Sequence, residues 1–291
     1  MVERPIARES LRQLRRLSSL RGLGSIAWTW GWIAACFVAY AMVPHWAVVV
    51  GGIAIVSGRQ LALAVLMHEG AHWLLLPDRR ANDRVSNWLC AYPLLFDTAA
   101  YRKIHLQHHK HTGTDRDPDL GLAAPFPITS ASFARKIARD LSGITGLKRY
   151  AFLLSTWSWR TRPFWGFVLT NGLLLTALWA AGIWEAYLLL WLLPSATCLS
   201  LVLRLRSIAE HAVVPDQTDP IRQTRTTLTN PLVRFFIAPH HVGYHLEHHL
   251  YMYIPHYRLA KTHRMLDRAG ALEGAEIARG YRSVWRKARA A

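Results

Sequence analysis

The chain has 291 residues, 52% of them hydrophobic, and carries 35 Lys and Arg against 18 Asp and Glu, a formal charge of +17. Mean hydropathy is only +0.10, so the apolar residues are gathered into blocks with the charges outside them, which excludes the soluble basic face that nucleic-acid binding requires. Three scattered cysteines, Cys36, Cys90 and Cys198, exclude a disulfide framework, a zinc ribbon and an iron–sulfur spacing.

Arg4, Arg8, Arg12, Arg15, Arg16 and Arg21 precede the first apolar run, too long and too basic a lead for a cleavable signal. With Leu11, Leu14, Leu17 and Leu20 recurring among them, residues 1–25 predict a basic amphipathic helix on a membrane surface. Apolar runs follow at about 26–43 and 46–67, parted by Pro44, and again at about 164–182 and 184–203, parted near Gly182. Each is close to the roughly 20 residues a helix needs to cross a bilayer. Trp88 to Phe96, with Pro93 inside it, is too short to span and reads as a re-entrant or interfacial piece.

Basic residues flank the runs at Arg79, Arg80, Arg84, Arg102 and Lys103, across 135–162 and beyond 204. By the positive-inside rule both termini and the long middle segment lie in the cytoplasm. The predicted fold is all-α: an integral membrane domain over 26–267 with four transmembrane helices in two hairpins and a cytoplasmic helical cap. A basic tail, 268–291, follows.

Eight of the fifteen histidines fall in three five-residue windows. These are HEGAH (His68, His72), HLQHH (His105, His108, His109) and HLEHH (His245, His248, His249). Residues at i, i+3 and i+4 share one helix face, so each window aims its rings in a single direction. His68 and His72 stand at the end of the second span, whose helix is expected to continue to Pro77. So many bases together call for a cation, and imidazole is a ligand for Zn, Cu, Fe and Ni.

HEGAH, HLQHHKHTGTDRDPDL and YHLEHHLYMYIPHYRL resemble the three histidine boxes of the membrane fatty acid desaturase and hydroxylase family, a likeness covering about residues 26–267. The resemblance implies a centre of two iron ions at the cytoplasmic helix ends, O2 as co-substrate and an apolar tunnel for a fatty-acyl or other lipid chain. It also implies a ninth ligand after the fourth span, where RSIAEH places His211. Tyr251, Met252 and Tyr253 follow the third box where a proline often comes sooner, a departure that bears on the substrate. No HPGG haem motif, cysteine cluster or dinucleotide fingerprint occurs, so electrons must come from an external ferredoxin, rubredoxin or cytochrome with its reductase.

Glu69, Glu210 and Glu247 each adjoin a candidate ligand, and Asp117 follows the second box; they either orient ring N–H groups or are solvated. His241 is a further candidate for that orienting role. His111 falls off the face of its window, His256 and His263 read as surface or packing residues, and His45 lies in the opposite loop. Arg59 and Glu185 are the only charges within the four runs, too few for an ion pathway. A metal transporter would spread its ligands through the spans instead of gathering them at one end. The reading is a lipid desaturase, with a hydroxylase, ketolase or decarboxylase as the rival oxidations.

Overall fold

A computed structural model describes residues 6–289; Arg4 and the last two residues of the tail lie outside the described residues. The expected N-terminal helix is broken in two. α1 (Arg8–Arg15) ends where Arg16 turns extended, and α2 (Ser19–Met42) restarts behind Ser18, whose side chain accepts the Arg21 N–H. The leucines therefore do not form one continuous face: Leu11 and Leu14 pack against the C-terminal part of the chain, whereas Leu20 is 84% exposed.

α3 (Trp46–Ala71) follows after Pro44 and forms the centre of the molecule, packing against α2 along its length. Its second half, from Val56 onward, is wholly buried. It does not reach Pro77. The helix stops at Ala71 with His72 as its cap, and Trp73 enters the left-handed region at φ 57°. Asn82 fixes this reversal: its Oδ1 accepts from Leu75 N–H at 3.1 Å and its Nδ2 donates to the Gly70 carbonyl at 2.9 Å.

α4 (Arg79–Ser86) leads into a π-helical turn (Asn87–Ala91) and a 3-10 turn (Tyr92–Leu94). The segment read as interfacial thus buries Cys90, Ala91 and Leu94 in the core around α3, leaving Trp88 and Leu89 partly exposed. α5 (Thr98–His111), capped by Asp97, packs on α3, and α6 (Leu120–Ala123), α7 (Ser130–Leu141) and α8 (Ile144–Thr156) complete the middle segment.

α9 (Arg162–Ala180) is the third long apolar helix. The fourth, Tyr187–His211, is a π-helical stretch (Tyr187–Leu192), α10 (Leu193–Ala196) and α11 (Cys198–His211). Pro194 accounts for the change from π- to α-helix ahead of it, because proline removes a donor and crowds the preceding turn. Thr197, at φ −108° and ψ −87°, parts α10 from α11. Four helices are thus long and apolar enough to cross a membrane, and the outward sides of α2 and α9 are rich in exposed Trp, Leu and Val.

The rest packs beneath the ends of α3 and α11: β1 (Arg225–Leu228), α12 (Pro231–Phe236), α13 (His245–Leu250), α14 (His256–Arg268), β2 (Glu276–Arg279) and α15 (Tyr281–Ala288). β1 and β2 pair in parallel with Arg225 opposite Glu276, so the fold is mostly helical rather than all-α. Arg225 is 1% exposed and donates to the carbonyls of Ala209 (3.0 Å) and Val213 (2.7 Å), tying the strand to the end of α11.

Close helix approaches rest on glycine. A Cβ at Gly146 would lie 2.1 Å from the Ala196 carbonyl, whereas one at Gly51 meets nothing within 4 Å. Gly146→Ala should therefore cost about 1–3 kcal/mol through overpacking of α8 on α10. Gly51→Ala should be neutral or stabilising by up to about 1 kcal/mol through helix propensity. Thermal unfolding in detergent checks this, and equal midpoints for the two variants would contradict it.

Candidate metal centre

The three windows meet where α3, α5 and α13 end, together with the last residue of α11. Five rings, His68, His72, His105, His109 and His248, form one group, and His108, His211, His245 and His249 form another; within each the ligand atoms lie within 4.8 Å of one another. The groups adjoin, with the His109 and His249 rings 4.3 Å apart. All nine histidines singled out in the sequence are here. His111, His45, His240, His241, His256 and His263 belong to neither group.

The expectation that each window points one way holds for His68 and His72 and is corrected for the other two windows. His105 and His109 join the first group while His108 joins the second, and His248 parts from His245 and His249. The i, i+4 pairs stay together, and the i+3 ring, rotated toward the neighbouring stripe, crosses to the other group.

The spacing has a chemical meaning. His109 Nε2 lies 3.0 Å from Nε2 of both His105 and His248, and His245 Nε2 lies 2.8 Å from His211 Nε2. Two imidazole nitrogens held at about 2.1 Å from one ion and at right angles are about 3.0 Å apart. Both ring nitrogens of His68 and His72, and Nε2 of His249, are buried without a protein partner. Buried polar atoms ordinarily find partners, so the donor set and its orphaned nitrogens fit a metal ion in each group.

Carboxylates orient several rings. His108 Nδ1 donates to Asp117 at 2.8 Å, leaving Nε2 to face the second group, and Asp117 also accepts the Gly113 and Asp119 N–H groups. Those donors hold its carboxyl below the ordinary value although burial opposes them. Glu210 lies 3.6 Å from His245 Nδ1 and is ion-paired to Arg206 at 2.6 Å. Glu69 is 3.8 Å from His68 Nδ1, too far for a hydrogen bond, and accepts instead from His256 through its backbone N–H (2.8 Å) and Nδ1 (3.1 Å). Glu247 binds Thr226 at 2.5 Å and His263 at 2.6 Å and hydrogen-bonds to none of the nine among the described residues.

His256 and His263 are thus carboxylate partners, correcting their reading as surface or packing residues; His256 is 3% exposed. No hydrogen bond links His241 to any of the nine among the described residues. Sequence reading also missed Arg102, which donates to the carbonyls of Ala71 (2.7 Å) and Gly70 (3.0 Å), pairs with Asp83 and lies 3.9 Å over the Trp73 ring. It clamps the second-box helix to the end of the first. Its one sequence signal was position, three residues before His105.

An apolar cavity of about 360 Å³ lies between α8, α9 and the fourth apolar helix, walled by Leu94, Trp157, Phe167 and Trp191. Asn171 holds one side, accepting from Tyr187 Oη (3.1 Å) and Trp191 Nε1 (3.2 Å). None of the nine histidines lines it.

Burial and the neighbouring rings push the imidazoles of His105, His109, His245, His248 and His249 below their ordinary value, and His72 down to about 3. A lowered imidazole stays neutral in the fold while the unfolded chain takes up protons below about 6.5, so stability falls as pH drops through that value toward about 3. His263, raised by Glu247, has the opposite sign: its contribution is present below about 6.5 and lost as pH rises through the raised value. Six lowered groups outweigh one raised group. The thermal midpoint of metal-free protein should therefore fall between pH 7 and 5; a rise over that interval would show that the rings are held protonated.

Over 280 residues the chain is 26% identical to the dihydrorhizobitoxine desaturase of Bradyrhizobium elkanii, covering 89% of this chain and 79% of that protein. It is 25% identical over 218 residues to the beta-carotene ketolase of Paracoccus sp. strain PC1, covering 72% and 76%. The beta-carotene ketolase of Paracoccus sp. strain N81106 is likewise 25% identical over 213 residues. The family model described as fatty acid desaturase matches residues 44–281, which takes in all three histidine windows, His211, and three of the four long apolar helices. The chain belongs to the fatty acid desaturase family.

Proposed function

We propose that the protein is a membrane oxidoreductase that uses two iron ions and O2 to oxidise an apolar chain, with lipid desaturation as the leading reaction. The observation that carries this is the convergence of nine histidines into groups of five and four at metal-ligand spacing. His68, His72, His105, His109 and His248 would hold one ion and His108, His211, His245 and His249 the other. Iron so held would supply an oxidant strong enough for an unactivated C–H bond.

The chain's own residues do the rest. Asp117 fixes the tautomer of His108, and Glu210 faces His245. Glu69, itself held by His256, offsets positive charge beside His68. Six of the nine rings are at most 5% exposed, which excludes water from the reacting region. The relatives named desaturase and ketolase differ in outcome, and both reactions, like hydroxylation and decarboxylation, suit an apolar chain lodged beside such a centre. The domain, over 26–267, would sit as two helical hairpins with the histidine-bearing cap and both termini in the cytoplasm, as the basic flanks indicate.

Purified protein from iron-replete cells should contain close to two iron atoms per chain, and lipid extracts of expressing cells should gain an oxygen-dependent product by mass spectrometry. Active protein holding one ion, or zinc alone, would overturn the assignment. His211→Ala should abolish turnover and lower metal content, whereas His45→Ala, at the far end of α3, should leave both.

Each turnover would take two electrons, and the sequence shows no HPGG haem motif, cysteine cluster or dinucleotide fingerprint, so an acidic ferredoxin, rubredoxin or cytochrome, with its reductase, is the proposed donor. The basic surface would speed its approach, an effect that salt screens. Turnover at limiting carrier should fall as ionic strength rises, while turnover with a chemical reductant should change little. Turnover on NADH or NADPH with no added protein would remove the need for a carrier.

A further inference from the structure

Arg59 lies in the interior of α3, in a membrane-spanning segment, and is 2% exposed. An intramembrane guanidinium is costly and is ordinarily paired or functional. Arg59 pairs with no acid among the described residues, where the arginine ion pairs are those of Arg102, Arg204, Arg206 and Arg225. One N–H group meets the Phe235 carbonyl, the guanidinium lies 3.9 Å over the Phe235 ring, and the buried Nε has no acceptor.

That side chain lines a pocket of about 410 Å³ that contains none of the nine histidines. Arg234 lines it too and enters no ion pair among the described residues. His240 and His241 contribute a third side, both in the left-handed region at φ 52° and 60°. Two consecutive non-glycine residues there are a strained arrangement of the kind kept at ligand sites. His240 is held: Thr29 gives its hydroxyl proton to the Ser25 carbonyl (2.8 Å), so it accepts from His240 Nε2–H (3.0 Å). His241 keeps a buried Nδ1 without a partner. Burial lowers both rings, His241 to about 4, so the positive charge at neutral pH belongs to the two arginines.

The rim is of another character. Trp28, 58% exposed on the outward side of α2, and Pro231 flank the opening, and Leu232 beside it is 68% exposed. The pocket therefore has a cationic floor with an unfilled donor and an apolar mouth.

We propose that this pocket binds an anionic amphiphile, its oxyanion head taken by Arg59 and Arg234 and its apolar tail leaving past Trp28 toward the bilayer. Planar guanidinium donors match the two oxygens of a carboxylate or phosphate, and the head would supply the acceptor that Arg59 Nε lacks. The site is separate from the histidine groups but adjoins them: His240 and His256 also border the narrow gap of about 10 Å³ that reaches His68, His245 and His248. The proposal does not depend on which metal those rings hold or which reaction follows.

The test is thermal unfolding of the full chain in dodecyl maltoside with laurate, dodecyl phosphate or dodecanol, since a ligand of the folded state raises the midpoint with concentration. Laurate or dodecyl phosphate should raise it and dodecanol should not, and the larger of the two shifts identifies the head group. Arg234→Gln should move the concentration dependence about tenfold higher, whereas Arg80→Gln, the same charge change at an exposed site, should not. Arg59→Lys, which keeps the charge and loses the fork, should weaken binding; should it fail to fold, Arg234→Gln carries the test. Equal shifts from dodecanol and the anions, or equal losses in Arg234→Gln and Arg80→Gln, would overturn the proposal.

Discussion

The structure depends on one constraint: nine imidazole rings are packed so that their nitrogens face one another. Nitrogens 2.8–3.0 Å apart with no proton to share would repel. Burial removes the water that could otherwise separate them, and buried polar atoms left alone carry a desolvation penalty of about 1–3 kcal/mol each. Such a cluster persists only if the surrounding fold over-determines the ring positions, or if cations convert the repulsion into coordination. Both conditions bear on the rest of the molecule.

The over-determination comes largely from arginines at helix ends. The last carbonyls of a helix lack internal partners, and a cation there also meets the negative end of the helix dipole. Arg102 takes the carbonyls of Gly70 and Ala71 at the end of α3, and Arg225 takes those of Ala209 and Val213 around the end of α11. These are the helices that deliver His68, His72 and His211. A clamp on the final turn fixes the azimuth of the rings just before it, and each clamp comes from a distant element, so the groups assemble only when the cap is folded against the apolar helices.

Much of this was legible in the sequence because it is periodic or local. The four apolar helices follow from run length, and the nine histidines from i, i+3, i+4 spacing and one resemblance. What escaped was set by contacts distant in sequence. His256 and His263 carry no local mark that separates them from surface histidines; their roles exist because α14 packs across Glu69 and Glu247. The parallel pairing of β1 with β2 joins residues some fifty apart, beyond the reach of any local pattern. The termination of α3 at Ala71 was hidden because Pro77 looked like the natural stop, whereas Asn82 folds the chain back sooner. The division of two windows between the groups needed the actual rotation of α5 and α13, which spacing alone leaves free.

Desaturation and hydroxylation begin with the same hydrogen abstraction, so the metal ligands cannot be the sole determinant of product. For the reaction proposed, the two outcomes would be separated by where an apolar chain is held, and that belongs to the walls rather than to the histidines. Two pockets of different character lie apart from the nine histidines. One is the cavity among Leu94, Trp157, Phe167 and Trp191, which is aromatic and holds its polar atoms in internal hydrogen bonds. The other, around Arg59, is cationic at its floor and leaves a donor unfilled. An uncharged hydrocarbon is suited to the first and gains nothing from the second, whereas an anionic amphiphile gains from Arg59 only if its head reaches that depth. If the Arg59 pocket takes the anionic head proposed for it, head-group charge is what it distinguishes, whereas the aromatic cavity offers an apolar chain only length and shape.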